Sequence, residues 1–383
     1  MPFELPDPRS FSPVADARFA ALFARAARSL GASGVEAASA EDRAVEQGIA
    51  ALFDDLTGAS LAALFDAAPS VALYRYLWRR VSDLMGRPAS RDGEQLAVAL
   101  FAIPVVVVAG RETGDGPTQL PAALSDVTAL ADILREHDAT ALAGHRTIAL
   151  ANVLVDANAL DLAQWPRLRR AATDALASRE MPLAFAPSPV AVAQEESVHL
   201  RFIAGSALAA PDSTGFNGDT SGTWTMPFAR ALGAQLAAPG ATVLALPRAP
   251  AALPHAFAAG KVAQREVAAQ VFASNALRRM RASVGEPVAV VSAHRLDDGG
   301  GELRLSLSSP FSPRDAEGFR CPLFAFEPVA DAAQMLDALL RDCRVTDVRV
   351  EPGIHADRDG GTGLPLLFKP TSNGPRIAWP QPQ

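Results

Sequence analysis

Ala99-Leu100-Phe101-Ala102-Ile103-Pro104-Val105-Val106-Val107-Val108-Ala109 is the stretch that decides the fold. It carries no charged side chain and is rich in β-branched valine, the composition of a strand buried on both faces. A bilayer-spanning helix needs about 20 apolar residues, so the run is too short for one. Pro104 has no N–H to give to a ladder and is expected at a strand start or a bulge. Downstream, a polar turn from Gly110 to Thr118 leads to an expected helix from Leu120 to His137, then a second buried strand from Thr147 to Val155. A helix over Asp161–Ser178, with Trp165-Pro166 near its start, precedes a third strand in which Val198, Leu200 and Phe202 alternate. A β-α-β-α-β order of this kind suits a mostly parallel sheet covered by helices.

Upstream, apolar residues recur at helical spacing. Ser12-Pro13 is a helix start, followed by Phe19, Leu22, Phe23, Ala26 and Leu30 and closed by Gly31. A second helix carries Val45, Ile49, Leu52 and Phe53, and a third buries Leu73, Tyr74, Leu77, Trp78, Val81 and Leu84 on one stripe. Beyond the third strand, a helix over Pro227–Ala237, a strand over Thr242–Leu246 and a long helix over Leu253–Val284 are expected. Val288–Leu296 and Glu302–Ser308 read as a hairpin joined by Asp297-Asp298-Gly299-Gly300-Gly301. In its second strand Leu303, Leu305 and Leu307 share one side and Arg304, Ser306 and Ser308 the other, so one face is expected to be wet. A strand over Leu323–Phe326, a helix over Val329–Asp342 and a strand over Val345–Glu351 add a β-α-β unit.

The fold class expected is therefore α/β (mixed α+β): an N-terminal helical layer, β/α units on a mostly parallel sheet, and a C-terminal hairpin plus β-α-β unit. The domains expected are a helical region at 1–95, a central α/β domain at 96–250, a C-terminal α/β domain at 251–360 and an irregular Pro/Gly-rich tail at 361–383. The element order ending in Val198-His199-Leu200-Arg201-Phe202, together with Leu339-Leu340-Arg341-Asp342-Cys343-Arg344-Val345-Thr346-Asp347-Val348, resembles a family of uncharacterised β-proteobacterial proteins. That resemblance implies no site and no activity.

Composition narrows the function. With 383 residues and 49% hydrophobic side chains the chain can build more than one core. A formal charge of −7 argues against nucleic acid as a partner, because phosphate binding needs a concentrated positive surface. The arginines at 75, 79, 80, 87 and 91 and at 278, 279 and 281 lack interleaved stacking aromatics and read as solvated helix faces. Lys261 and Lys369 are the only lysines; with the wealth of alanine and arginine this matches a GC-rich bacterial genome. Two cysteines, Cys321 and Cys343, outside any CxxC pattern point to a reducing compartment. An N-terminus without a basic and apolar leader adds to the expectation of a cytoplasmic protein without a membrane span.

The strong chemical motifs are missing. Around Gly260-Lys261 a phosphate-binding loop would need glycine where His255 stands and a hydroxyl where Val262 stands. Gly299-Gly300-Gly301 leads into a strand instead of a helix, leaving no helix N-terminus for a pyrophosphate. Gly205-Ser206-Ala207 lacks the second glycine of a nucleophile elbow. Glu196-x-x-His199 has the spacing of a carboxylate-bridged metal site but falls on a strand and has no second copy. His355-Ala356-Asp357-Arg358-Asp359-Gly360 lacks the distal glutamate of a calcium loop and reads as a turn. No metal and no cofactor are expected.

Two places remain. Asp156 follows a strand directly, where ligand crevices of open α/β sheets lie, although capping the next turn is the simpler role. The glycine-dense loop 215–224 precedes a helix, so Asn217, Asp219, Ser221 and Thr223 are candidates for an anion and Trp224 for a stacking surface; the same composition makes an ordinary surface loop. Scarce His, Cys, Lys and Tyr favour a non-enzymatic interaction or assembly protein acting through a protein partner or a homo-oligomer. The alternative is an enzyme or small-ligand or anion-binding protein whose site is assembled from the 215–224 loop and Asp156.

Overall fold

The computed structural model describes the chain outside residues 1–18, 33–34, 89–96, 112–118, 138–147, 175–183, 194–195, 210–221, 284–285, 297–299, 309–315, 357–366, 372–373 and 379–383. The helix start at Ser12-Pro13 and Asn217, Asp219 and Ser221 lie outside the described residues. In order, the described elements are α1 (Ala20–Gly31), α2 (Val35–Leu52), α3 (Ala59–Asp66), α4 (Val71–Gly86), β1 (Ala97–Arg111), β2 (Gln119–Leu120), α5 (Val127–Glu136) and β3 (Ile148–Leu150). A 3-10 turn (Ala157–Leu160), α6 (Trp165–Asp174), β4 (Val190–Ala191), β5 (Ser197–Ala209), α7 (Thr225–Gln235), β6 (Ala241–Pro247) and β7 (Ala251–Ala252) follow. The chain continues through α8 (Leu253–Ser283), β8 (Val288–Arg295), β9 (Gly301–Ser308), β10 (Ala316–Leu323), α9 (Val329–Asp342), β11 (Asp347–Ala356), β12 (Leu367–Thr371) and β13 (Gly374–Ala378). Two compact units result: a larger one of residues 15–68 and 76–264, and a smaller one of 1–14, 69–75 and 265–383.

In the larger unit β1 is the central strand. It pairs antiparallel with β5 from Ala97↔Ala209 to Ala109↔Ser197 on one side, and antiparallel with β6 and β7 on the other. β3 adds antiparallel to β5, giving the order β3-β5-β1-β6. The expected mostly parallel sheet is thus corrected: every pair in this main sheet is antiparallel. An uninterrupted apolar run reports burial on both faces, and an antiparallel sheet covered on both faces has the same signature. On one face Phe101, Ile103, Val105 and Val107 pack with Ile203, with Leu130 and Leu134 of α5, and with Phe228 and Leu232 of α7. The other face meets an aromatic layer, in which Phe202 stacks on Phe257 of α8 at 6.4 Å between centroids. Phe257 meets Trp78 of α4, and Trp78 meets Trp165 of α6 edge-on at 5.4 Å.

Pro104 sits inside β1 in unbroken register, not at a strand start or bulge. Its carbonyl accepts from Arg248 N at 2.8 Å, at the break between β6 and β7. The nitrogen of a strand residue points to the same edge as its carbonyl, so the missing N–H falls where the ladder is already interrupted.

The helical layer of this unit is tied by one carboxylate. Asp42 on α2 accepts from Tyr76 Oη at 2.6 Å, from Ser29 Oγ of α1 and from Arg80 of α4. Burial works against its charge, but the hydrogen bonds from Ser29 and Tyr76 and the charge of Arg80 hold its pKa below the ordinary 3.8. Gly58, with φ 71°, caps α3 in the left-handed region, and a Cβ there would come within 2.3 Å of the Ala163 carbonyl oxygen.

In the smaller unit the sheet order is β10-β9-β8-β11, with β8/β9 and β9/β10 antiparallel and β11 parallel to β8. The hairpin forms as expected. Its apolar face, with Val291, Leu303, Leu305, Leu307 and Cys321, packs on Ala273, Leu277 and Met280 of α8 and on Leu336 and Leu340 of α9. β12 and β13 pair with each other. At the start of this unit's portion of α8, Arg265 and Glu327 form a buried two-pronged ion pair, with NH2 to Oε2 at 3.0 Å. Arg265 also donates to Pro322 O at 3.1 Å and lies over the Phe324 ring, so one guanidinium fixes the turn between β10 and α9.

Two outcomes follow from these ties. Glu327→Ala strands a buried guanidinium and lowers stability by about 3–5 kcal/mol in chemical denaturation, and Arg265→Met added to it recovers most of the loss. Because the folded pKa of Asp42 is depressed, its contribution is present above the ordinary carboxylate range and disappears as pH falls through the depressed value. Asp42→Asn therefore lowers stability near neutrality and flattens the acid limb of a stability–pH curve.

Candidate functional site

Of the residues expected to form a site, Asp156, Thr223 and Trp224 are among the described residues. Asp156 Oδ1 accepts from Asn158 N at 2.8 Å and Ala159 N at 3.2 Å and so caps the 3-10 turn. Trp224 is buried in the main core, edge-on to Phe228 at 5.4 Å, and offers no open stacking surface. Thr223 is exposed at the start of α7. His199 shares a hydrogen bond with Ser197 Oγ at 2.9 Å, and burial followed by the charge of Arg201 lowers its pKa. No group of three or more His, Cys, Asp or Glu among the described residues could hold a metal ion, and no described helix is long and apolar enough to cross a membrane.

The chemistry that alternation did bring together lies on the second face of the β10-β9-β8-β11 sheet. Residues of β8 and β9 with even numbers point there, and the register sets His294 opposite Glu302 and Ser292 opposite Arg304. The parallel partner of His294 on β11 is His355, and the antiparallel partner of Arg304 on β10 is Arg320. This face is not wet, contrary to the expectation from alternation: Ser292, His294, Glu302, Arg304, Ser306 and Ser308 are all buried, Arg304 to 4% exposure. His294 is 5% exposed. His355, expected in a solvated turn, is on β11 and partly buried; 357–360 lie outside the described residues.

Its geometry is specific. Glu302 accepts from Arg304 Nε at 2.6 Å through Oε1 and from Arg320 Nε at 2.7 Å through Oε2. Ser292 Oγ and His294 Nε2 share a hydrogen bond of 2.8 Å. The rings of His294 and His355 are 5.2 Å apart, and His355 Nε2 lies 3.4 Å from Glu351 Oε2. Ser306 Oγ is buried with no hydrogen-bond partner among the described residues. A serine on a histidine has the form of a nucleophile and its base, but both belong to one strand and are buried, and both oxygens of the facing carboxylate bond arginines. What this arrangement does is fix pairing: a slip of one residue would move each of these polar groups to the leucine face.

Sequence reasoning separated the two faces correctly but had no signal for the cover over the polar one. Compared with known proteins, the chain matches no family model, no curated protein and no solved structure.

Still in the larger unit, β6 carries a different kind of candidate. Among the described residues it pairs with β1 alone and forms an end of the sheet. Ala241-Thr242-Val243-Leu244-Ala245-Leu246-Pro247 contains no charge, and Leu244 is 53% exposed. α7, which packs beside it, presents Met226 at 67% exposure.

Paired substitutions separate the polar groups that hold the smaller unit's sheet from those that do not. Glu302→Ala leaves Arg304 buried without its carboxylate and lowers stability by about 3–5 kcal/mol. Ser306→Ala removes a hydroxyl that bonds nothing among the described residues and is neutral or slightly stabilising. Thermal melts of both variants under identical conditions check the contrast.

Proposed function

We propose that this protein is a non-enzymatic interaction or assembly protein and that β6 is its docking edge. The observation that supports the reading is a strand of seven residues, in unbroken register with β1, without a charged side chain and at the end of its sheet among the described residues. Edge strands are ordinarily blunted by lysines, inward charges, bulges or shortness, because unpaired N–H and C=O groups template further pairing. Here only Pro247, at the end, is of that kind. A strand that adds to such an edge gains main-chain hydrogen bonds, and Leu244 supplies an apolar anchor.

The occupant is a second copy of the chain. An antiparallel pair about a two-fold axis sets Leu244 against Leu244, a self-complementary contact between uncharged strands. The scarcity of acid–base and nucleophilic residues, and the use of Asp156 and Trp224 for capping and core, weigh for assembly over catalysis. We place the protein in a reducing cytoplasm on the strength of its two free thiols. Burial pushes the Cys321 thiol up to about 12, so it stays protonated and inert.

Native mass spectrometry of the purified chain across a dilution series tests this reading. The expected result is a dimer that dissociates on dilution, with Leu244→Lys weakening it by about tenfold or more, since burying one leucine contributes about 1.5–3 kcal/mol. A monomer at every concentration, or a dimer indifferent to Leu244→Lys, would overturn it.

A further inference from the structure

We infer that the groove between α1, α2 and α3 is a binding site for an aliphatic monocarboxylate, with Arg25 taking the carboxylate and the chain lying along Leu22 and Leu52. The groove uses no residue of β6. Its volume is about 340 Å³, and Phe19, Leu22, Arg25, Gly48, Leu52 and Ser60 contribute to its walls. Ligand sites for small molecules begin at roughly 300 Å³ and combine apolar walls with a few placed polar groups, which describes this lining.

The contacts between α1 and α2 order the groove along its length. Arg28 bonds Glu41, Ser29 bonds Asp42, and Leu22 lies against Gly48, so the two helices run antiparallel. Arg25 stands between the Arg28 and Leu22 levels, at one end, while Leu52, the last residue of α2, marks the other. Ser60, in the first turn of α3, closes that second end. Its N–H is bonded by Asp55 Oδ2 at 2.9 Å. Asp55 has a pKa held far below the ordinary value by hydrogen bonds from Thr57 and Ser60, so an anionic head is repelled there and is directed to Arg25.

Two further observations point to an anionic, chain-bearing occupant. Arg25 is exposed and makes no ion pair among the described residues. Glu41, the acid whose charge it feels, is already gripped by Arg28 Nε at 2.7 Å and NH2 at 3.3 Å. Gly48 sits inside an eighteen-residue helix with an ordinary φ, where glycine costs about 1 kcal/mol relative to alanine and the backbone does not require it. A Cβ at that position would reach 2.8 Å from Leu22 Cδ1 and crowd the floor of the groove. Glycine there keeps the floor open.

The probes are decanoate and decanol, titrated calorimetrically into the full-length chain at neutral pH. Decanoate is expected to bind and decanol to bind about tenfold more weakly, because only the acid gains a charge-assisted hydrogen bond. Arg25→Gln, a surface change that leaves folding intact, is expected to bring decanoate down to the affinity of decanol without altering decanol. Gly48→Leu fills the floor and is expected to abolish both. Failure of decanoate to bind the wild-type chain overturns the inference. So does equal binding of acid and alcohol, or decanoate affinity unchanged in Arg25→Gln.

Discussion

The larger unit depends on enclosing β1. From Ala97 to Gly110 the strand carries no charge and nearly every side chain is buried. Its backbone groups must find partners inside the protein, because water does not reach them. β5 supplies a ladder along almost its whole length and β6 with β7 supplies the other. The side chains must also be covered twice, by α5 and α7 on one face and by the Trp78–Trp165–Phe257 layer on the other. Enclosure works on the faces and on the β5 side. It stops at β6, whose outer edge has the uncharged character of β1 and no strand beyond it among the described residues.

The smaller unit obeys a different constraint, the burial of charge only in pairs. Arg265 with Glu327 pins the turn between β10 and α9, and Glu302 neutralises Arg304 while reaching Arg320. Each pair is expensive to desolvate and more expensive to break, so its value lies in specifying one arrangement. On the sheet face the arrangement specified is register: Ser292 and His294 stand opposite Arg304 and Glu302 only if β8 and β9 pair as they do.

How far these features were legible follows from what each signal measures. Helical spacing and a long alanine-rich run marked α8 to within a residue at each end, since no strand competes with thirty residues of helix formers. Alternation in Leu303, Leu305 and Leu307 marked β9 and divided its faces. Neither signal reports what lies against a face, so the row Arg304, Ser306 and Ser308 read as wet although it is buried. The run Ala99–Ala109 told of burial on both sides and not of strand direction, which the connections decide. Asp156 and Trp224 had site-like positions in the sequence; a capping bond and a core contact took them, both set by neighbours distant from any motif. Gly48 and Arg25 had no signal, because the groove exists only once α1 and α2 lie side by side.

Hydrogen–deuterium exchange across residues 241–247 as a function of protein concentration reports whether β6 pairs with a second copy of the chain. The amides of β6 not bonded to β1 are expected to exchange fast in dilute protein and to slow markedly as concentration rises, with Leu244→Lys removing the dependence. Fast exchange that is identical at every concentration would mean that the edge stays open and that β6 is not a docking strand.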